Sequence, residues 1–271
     1  MRDREFSLEG QVALVTGSGR GLGHAIAVRL AELGASVAIH DQTEAAPAEF
    51  DEFASLAESL AHLDGQRVRT CAITGDISDQ PRVRAMVAEV EANLGPLTIL
   101  VNAAGGDIGA AGGKPAPNNA LETKLEDVRA LLDRNLIGTM VVCGAVVPGM
   151  IARRGGAVVN IASLAGHFGV SPEVAYSTIK AGIIHYTRCL AFETREHHVR
   201  VNCVSPGPTA TARFLRTRTI DPALLVDDGT LIRYGAPRDQ ANVVAFLCSP
   251  AAKFVHGQVL RVDGGMSLYA G

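Results

Sequence analysis

Apolar and polar positions divide the chain into two kinds of segment that follow one another repeatedly. Short runs of β-branched and aliphatic residues, such as QVALVT at 11–16, are followed by longer segments whose apolar positions recur with helical spacing. Strands that alternate with helices in this way favour a doubly wound parallel sheet, in which ligands bind at the carboxyl ends of the strands. The pattern therefore predicts one α/β domain over residues 1–271.

The same pattern places the individual elements. The predicted strands are 11–16, SVAIH ending at Asp41, RVRTCAITGD at 67–76, LTILVN at 97–102, 158–163, VRVNCVS at 199–205 and GQVLRVDGG at 257–265. The predicted helices are 24–34, a crossover helix within 43–63, then 78–95, 124–150, 172–195 and 237–250. Between 106 and 119 the sequence GDIGAAGGKPAPNN is too rich in glycine and proline for regular structure.

Composition and charge exclude several classes of protein. With 271 residues, 47% hydrophobic content and a net charge of −3, the chain suits one large domain with an ample core, and no basic cluster with interleaved aromatics suggests a nucleic-acid partner. The start, MRDREFSLEG, lacks an apolar signal, and the apolar run at 141–151 is short and interrupted, so we expect a cytoplasmic protein without a membrane span. The five cysteines and eight histidines form no metal-ligand pattern, so no metal site is predicted.

A glycine-rich segment, TGSGRGLG at 16–23, joins the first predicted strand to the first predicted helix. Glycines at 17, 21 and 23 let the backbone turn sharply and approach a pyrophosphate, and the amino terminus of the helix offers free N–H groups. A glycine-rich turn without a ligand is the alternative, but the strand–turn–helix context favours a nucleotide site. The small residues of NAAG at 102–105 would likewise let backbone approach a flat ring or a ribose.

The second predicted strand ends at Asp41, eighteen residues beyond Gly23. An acidic side chain there can accept hydrogen bonds from the adenosine ribose and repel a 2′-phosphate, which favours NAD over NADP. Arg20, inside the glycine loop, argues for NADP instead because it could reach a 2′-phosphate. A turn or cap residue is the structural alternative for Asp41.

The segment 158–180 carries a candidate proton-handling site. Tyr176 and Lys180 are four residues apart on a predicted helix and share a face, and Ser163 ends the preceding strand. A free phenol titrates near pH 10. A positive charge about 4 Å from a phenolate stabilises that phenolate by roughly 4 kcal/mol at an effective dielectric of 20. We therefore predict that Lys180 lowers the pKa of Tyr176 for general acid/base catalysis, while Ser163 hydrogen-bonds the substrate oxygen. An ordinary helical tyrosine, a solvated lysine and a capping serine are the alternative.

Three further segments are candidates for the substrate side. Asn135, a poor helix former inside the 124–150 helix, is expected to bend it and to hold a water near Lys180. The 106–119 loop, residues after Ser163 such as His167 and Phe168, and the 208–235 segment are expected to form the pocket, with 208–235 as a mobile lid. The arginines of the lid could attract an anionic substrate, but solvated loop charges are the preferred interpretation; they are Arg213, Arg216, Arg218 and Arg233.

Together these motifs resemble the short-chain dehydrogenase/reductase family in its roughly 250-residue form. TGSGRGLG matches the family's TGxxxGxG, NAAG its NNAG with Ala103 for the second Asn, SPGPTAT its PG-containing nicotinamide segment, and GQVLRVDGG its carboxyl-terminal strand. The resemblance implies a Rossmann-type seven-stranded sheet, a nicotinamide cofactor bound mainly by residues 10–160, and often a tetramer built through the two long central helices and the last strand. Thr209 departs from the usual Ile or Val, and the 106–119 loop is longer than in many members.

The resemblance also implies which residues form the site. The implied catalytic residues are Asn135, holding a proton-relay water, Ser163, Tyr176 and Lys180, which also binds ribose. The implied cofactor contacts are Gly17, Ser18, Arg20, Gly21, Leu22, Gly23, Asp41, Asp76 at the adenine, Ile77, Asn102, Ala103, Ala104, Gly105, Tyr176, Lys180, Pro206, Gly207, Thr209 and Thr211.

We therefore predict an NAD-dependent oxidoreductase that interconverts a secondary alcohol, small and polar or hydroxylated, and its ketone. We expect a homotetramer or homodimer with a small-molecule substrate. An NADP-dependent 3-oxoacyl-type reductase is the alternative within the class. A nicotinamide-binding regulator without turnover and an isomerase or dehydratase that returns its hydride internally are the alternatives from other classes.

Overall fold

The computed structural model describes residues 5–63, 65 and 68–268, and its centre is one parallel sheet. Its seven strands lie in the order β3-β2-β1-β4-β5-β6-β7. The strands are β1 Val12–Thr16, β2 Ser36–Asp41, β3 Thr70–Thr74, β4 Ile99–Asn102, β5 Gly156–Ile161, β6 Val199–Pro206 and β7 Val259–Val262. The reversal of strand order beside β1 brings the ends of β1 and β4 together, which is where ligands bind in sheets of this type.

Eight α-helices lie within the described part of the chain. They are α1 Gly21–Glu32, α2 Leu56–Ala61, α3 Gln80–Leu94, α4 Leu125–Leu132, α5 Gly138–Arg153, α6 Val174–Thr194, α7 Ala212–Thr217 and α8 Pro237–Cys248. Asp79 caps α3 by accepting a hydrogen bond from the Arg82 amide (3.2 Å). The helix predicted at 78–95 is therefore confirmed, with Asp79 and Gly95 as its two caps.

The helices cover both faces of the sheet, so the predicted doubly wound architecture is confirmed. On one face α1 and α8 pack against the strands through residues such as Ile26, Leu30 and Val244. On the other face α3 and α5 contribute residues such as Val83 and Val146 to a second apolar cluster. Both faces of the strands are buried, which explains why the strand segments are almost continuously apolar.

The segment 43–63 differs from the predicted crossover helix. The chain forms a 3₁₀ turn at Ala46–Phe50 and only the six-residue α2. Pro47 lies near the start of the turn, and Glu49 and Glu52 reach back to the glycine loop. These contacts hold the segment against the loop, so a continuous helix is replaced by turns.

The helix predicted at 124–150 is also modified. Helical structure runs from Leu125 to Arg153, but a π-helical turn at Asp133–Ile137 separates α4 from α5. Single π turns inside helices are frequent at functional sites. By length and composition alone this helix is apolar enough to cross a membrane, a test that core helices also pass; here it packs against α3 and α6.

Candidate active site and cofactor cleft

One cavity of about 1070 Å³ opens at the carboxyl ends of the strands. Most predicted site residues line it, namely Gly17, Arg20, Gly21, Leu22, Gly23, Asp41, Asp76, Ile77, Ala103, Ala104, Gly105, Ser163, Tyr176, Lys180, Pro206, Gly207, Thr209 and Thr211. Three predicted site residues lie behind the wall among the described residues: Ser18, Asn102 and Asn135. The structure therefore separates residues that can touch a ligand from residues that support them.

The glycine loop is pressed against the end of β4. Gly17 has φ +62°, a conformation that favours glycine, and a Cβ there would lie 2.5 Å from the Ala104 Cα. The amides of Ala103 and Ala104 donate to the Thr16 hydroxyl (3.1 and 3.2 Å). The buried Ser18 hydroxyl donates to Val15 O (2.6 Å). Ser18 thus shapes the loop from behind.

His40, at the end of β2, is a support that sequence reasoning missed. Its Nδ1 accepts a hydrogen bond from the Gly17 amide (3.2 Å), so Nε2 carries the proton and donates to Gly75 O (3.0 Å). Burial lowers the pKa of His40 to about 4, which keeps the ring neutral. A neutral imidazole therefore fixes the first glycine of the loop, and only the position before Asp41 hinted at it.

The amino terminus of α1 already carries an anion from the protein. The Gly21 amide donates to the Glu52 carboxylate (2.8 Å), whose Oε1 is buried with no hydrogen-bond partner in the described chain. A carboxylate is favoured there by the helix dipole and the free N–H groups. The same groups would receive a phosphate, so Glu52 serves as a stand-in for the phosphates of a dinucleotide.

The ribose end of the cleft is acidic. Burial raises the pKa of Asp41, and the nearby Arg20 charge opposes that shift. Arg20 Nη2 pairs with Glu49 (2.6 Å), and its guanidinium lies 4.5 Å from the centre of the Phe50 ring. The arginine predicted as a 2′-phosphate ligand therefore has a carboxylate partner of its own.

The catalytic candidates converge on the opposite part of the cavity. Lys180 is buried and its Nζ donates to Ile161 O (3.0 Å) and lies 5.6 Å from the centre of the Tyr176 ring. Burial lowers the pKa of Lys180 to about 8. Ser163 ends the strand and begins a 3₁₀ turn, and its side chain hydrogen-bonds Tyr176. The structure therefore brings these three side chains to one part of the cavity, and their catalytic roles stay a prediction.

The predicted lowering of the pKa of Tyr176 by Lys180 is wrong in this structure. Burial of the phenol raises its pKa, and the charge of Arg213 followed by the Ser163 hydrogen bond opposes that shift. The Lys180 ammonium lies 5.6 Å from the centre of the Tyr176 ring, and burial lowers the pKa of Lys180 as well. Desolvation of the phenol is here the dominant effect on its pKa.

Asn135 lies in the π turn and is fully buried. Its Oδ1 accepts from the Gly106 amide (2.9 Å), while Nδ2 donates to Gly106 O (3.1 Å) and Leu131 O (2.9 Å). The side chain therefore fixes the backbone where β4 runs into the 106–119 loop. The predicted distortion of the helix is confirmed, whereas the proton-relay water stays a prediction.

Charged side chains hold the substrate side together. Glu173, just before α6, pairs with Lys114 of the 106–119 loop (3.0 Å) and with Arg218. Asp107 is 4% exposed; its Oδ2 accepts from Asn118 (3.3 Å), but its Oδ1 is buried with no hydrogen-bond partner in the described chain. Burial and the Glu173 charge raise the pKa of Asp107. Sequence reasoning missed both acids.

The interpretation of the lid arginines as solvated charges is wrong for Arg213. Arg216 is exposed and pairs with Asp51 (2.5 Å), as such charges do. Arg213 is half-buried, lines the cavity, and its Nη1 donates to Gly105 O (3.4 Å). Phe168 lines the cavity as predicted, but His167 is not among its lining residues and instead hydrogen-bonds the Ser205 hydroxyl (2.9 Å).

Comparison with known proteins places this geometry in context. The family model described as Enoyl-(Acyl carrier protein) reductase matches residues 17–267. The chain is 34% identical over 272 positions to the cyclohexanol dehydrogenase of Rhodococcus sp. (strain TK6), with 96% of the chain and 97% of the relative covered. It is 35% identical to the 3-oxoacyl-(acyl-carrier-protein) reductase FabG of Aquifex aeolicus (strain VF5), with 97% and 99% covered.

A solved structure extends the likeness to three dimensions. The 7α-hydroxysteroid dehydrogenase complexed with NADH and 7-oxo glycochenodeoxycholic acid superposes with a TM-score of 0.83 at 30% identity, and 98% of each chain is covered. The likeness therefore spans both the cofactor cleft and the substrate side.

Proposed function

The chain belongs to the short-chain dehydrogenase/reductase family, whose members act on CH–OH or C=O groups, and from that premise we propose an NAD-dependent dehydrogenase for a small, polar secondary alcohol or its ketone. The observation that carries the proposal is the shared cavity of the glycine loop and the Ser163, Tyr176 and Lys180 side chains. A dinucleotide and a carbinol can then meet in one space. A nicotinamide supplies the acceptor for the hydride when it is bound.

The residues of the cleft fit a dinucleotide. Glu52 on the Gly21 amide marks an anion position at the start of α1, and glycine backbone surrounds it. Asp41 and Glu49 both line the ribose end, where two carboxylates would repel a 2′-phosphate. Arg20, the residue that could favour NADP by binding a 2′-phosphate, is paired with Glu49. These contacts support NAD.

Tyr176 handles the proton of the substrate oxygen in this proposal. Ser163 hydrogen-bonds the Tyr176 hydroxyl. In this proposal Ser163 also donates a hydrogen bond to the substrate oxygen as negative charge develops on that oxygen. Burial penalises the phenolate, so the charge of Arg213 and the hydrogen bond from Ser163 are needed to make it accessible at neutral pH. Asn135 keeps Gly105 and Gly106 in place beside this group.

An NADP-dependent 3-oxoacyl-type reductase is the second candidate, and the likeness to a 3-oxoacyl reductase is the observation that favours it. Replacing Asp41 by Ala separates the two candidates in a comparison of turnover with NAD and NADP. If Asp41 sets the preference, we expect kcat/KM for NADP to rise about tenfold relative to NAD, or about 1.4 kcal/mol. The exposed Asp228→Ala is the matched control. An unchanged ratio in Asp41→Ala would remove the argument for NAD.

The proposed chemistry is tested by the appearance of NADH at 340 nm with a panel of sugars, polyols, hydroxy acids and steroids. We expect Tyr176→Phe to lower kcat by about 10²–10⁴-fold because the proton acceptor is lost. Tyr186→Phe, the same change ten positions further along α6 in the apolar cluster, is the control. Full turnover in a folded Tyr176→Phe protein contradicts the mechanism. Nicotinamide binding without NADH formation by wild type favours a regulator or an internal-hydride enzyme.

Assembly and location belong to the same proposal. We propose a homodimer or homotetramer, supported by exposed apolar side chains outside the cavity such as Phe192 on α6 (81% exposed) and Phe254 (99% exposed). Light scattering of the purified protein measures the assembly. A mobile lid at 208–235 and a cytoplasmic location stay predictions.

A further inference from the structure

We propose that Arg213 is the anchor for a carboxylate on the substrate and Asp107 the acceptor for a substrate hydroxyl, so that the substrate class is the hydroxylated carboxylic acids. The inference rests on the proposed function and names the substrate of the same site. The reaction would oxidise a CH–OH of the acid to C=O, with the hydride reducing NAD to NADH and the proton leaving through Tyr176 to water.

Arg213 is a cation without an anion. No carboxylate lies within 4.0 Å of its guanidinium among residues 5–63, 65 and 68–268, and its one described side-chain hydrogen bond is the 3.4 Å contact with Gly105 O. Burial lowers its pKa, so the surroundings penalise the charged form. Guanidinium remains charged at neutral pH, and an incoming carboxylate would offset that penalty through two parallel hydrogen bonds.

Three other cations of the cavity wall differ from Arg213 because the protein supplies their anions, whereas Arg134 and Lys180 donate to the backbone carbonyls of Ile108 and Ile161. Arg20 pairs with Glu49, and Lys114 and Arg218 both pair with Glu173. Their charges are therefore committed to holding segments together. The charge of Arg213 acts on Tyr176, as its influence on the phenol pKa shows, so an anion bound by it would lie in the part of the cavity that contains the acid/base.

The backbone leaves room for the arginine at this place. A Cβ on Gly106 would overlap the Arg213 guanidinium, so the glycine allows it to lie flat against the end of β4. Asn135 holds Gly106 at both its amide and its carbonyl. The arginine is thus seated against a fixed surface, which is what a specific anchor needs.

Asp107, on the same wall of the cavity, supports the proposed substrate class independently of Arg213. It is 4% exposed and lines the cavity, yet its Oδ1 lacks a hydrogen-bond partner in the described chain. A buried oxygen without a donor costs about 1–3 kcal/mol, so a donor from a ligand would be favourable. A carboxylate would be repelled by Asp107 but a hydroxyl would satisfy it, which orients a hydroxy acid between the acid and Arg213.

The test compares gluconate, glycerate and 3-hydroxybutyrate with their amides as substrates of the enzyme with NAD. We expect wild type to prefer the acids by about 10–100-fold in kcat/KM, the range of a charge-assisted pair. Arg213→Gln should abolish the preference mainly through KM, and Arg213→Lys should restore part of it. Arg216→Gln, on the same helix but paired with Asp51, should keep the preference. Asp107→Asn should lower kcat/KM for gluconate more than kcat/KM for 3-hydroxybutyrate.

Binding without turnover is the second readout. Gluconate should raise the melting temperature of wild type more than the neutral polyol glucitol, and Arg213→Gln should remove the difference. Two results would overturn the inference: equal kcat/KM of wild type for acids and amides, or a loss in Arg213→Gln that is confined to the Kd of NAD. Turnover of neutral alcohols alone also overturns it while leaving the proposed function intact. Absence of NADH with every substrate refutes the proposed function, and the gluconate–glucitol difference still decides the anchor.

Discussion

The two sides of the cavity are built by different interactions. The cofactor wall, formed by residues 16–23, 40–42 and 102–105, is held by hydrogen bonds from backbone amides to the side chains of His40 and Thr16 and by close glycine contacts. The substrate wall, formed by residues 106–119 and 207–235, depends on ion pairs such as Lys114–Glu173 and Arg216–Asp51. The first kind of contact depends on exact shape, whereas the second kind tolerates movement.

The difference has an energetic side. Leaving a buried donor or acceptor unsatisfied costs about 1–3 kcal/mol, whereas an exposed ion pair contributes about 0–1 kcal/mol. A change in the cofactor wall should therefore be costly wherever it falls. A change in the substrate wall should be cheap unless it removes a group that touches the ligand. Identical substitutions placed in the two walls test this contrast.

The largest expected effect comes from an alanine at Gly17 of the cofactor wall. The substitution forces an L residue to φ +62° and places its Cβ 2.5 Å from the Ala104 Cα. We expect a loss of about 2–5 kcal/mol in the free energy of unfolding, since overpacking and a left-handed backbone both contribute. Urea denaturation and calorimetric titration with NAD measure the stability and the affinity, which should fall together.

Gly113 of the substrate wall is the matched control for that experiment. A Cβ there meets nothing within 4 Å in the described structure, and its φ lies outside the left-handed region. Gly113→Ala should change the free energy of unfolding by less than about 0.5 kcal/mol. Equal losses in the two variants would show that the walls do not differ as argued.

The contrast between the walls also explains what could be predicted from sequence. The strand, glycine loop and α1 are adjacent in the chain, so the alternation of strands and helices, the acid at the end of β2 and the position of the glycine loop followed from local patterns and are present in the structure. The proximity of the three candidate catalytic residues was predictable for the same reason, because 158–180 holds Ser163, Tyr176 and Lys180 within one strand–turn–helix unit. Local sequence therefore carried most of the fold and the reacting groups.

Long-range contacts could not be predicted in this way. His40 meets Gly17 across 23 positions, and Arg213 meets Gly105 across 108 positions. A histidine in a strand and an arginine in a polar segment look like a core residue and a solvated charge until the register of the sheet is known. The pKa of Tyr176 was mispredicted for a related reason, since burial depends on the whole chain.

A pH experiment sharpens the contrast, with a somewhat smaller expected effect. The pKa of His40 is about 4 in the folded chain, against 6.5 for the free side chain, so the unfolded chain binds more protons between these values. Stability is therefore fully present above pH 6.5 and is lost as the pH falls towards 4, by up to about 3 kcal/mol. Protonation at Nδ1 would also remove the acceptor for the Gly17 amide, so affinity for NAD should fall in parallel.

Urea denaturation from pH 7 to pH 4.5 measures this dependence. His40→Asn keeps an acceptor near Gly17 but cannot titrate, so its unfolding free energy should vary less with pH than that of wild type. The control is His198→Asn, an exposed site where the left-handed φ of +57° suits Asn, and it should retain the wild-type slope. A wild-type slope in His40→Asn would show that another group governs the acid response.

The smallest expected effect comes from Glu173, which lies just before α6 and pairs with Lys114 and Arg218 of the substrate wall. Glu173→Gln removes the anion shared by Lys114 and Arg218, whose side chains are 31% and 37% exposed. Because solvent screens these cations, we expect a loss below about 1 kcal/mol in the free energy of unfolding, and 0.5 M NaCl should reduce the difference from wild type. Affinity for NAD should be unchanged, since no residue of the cofactor wall depends on this pair. A loss as large as that of Gly17→Ala would mean that the substrate wall is as rigid as the cofactor wall, and that its ion pairs fix the cavity instead of leaving it adjustable.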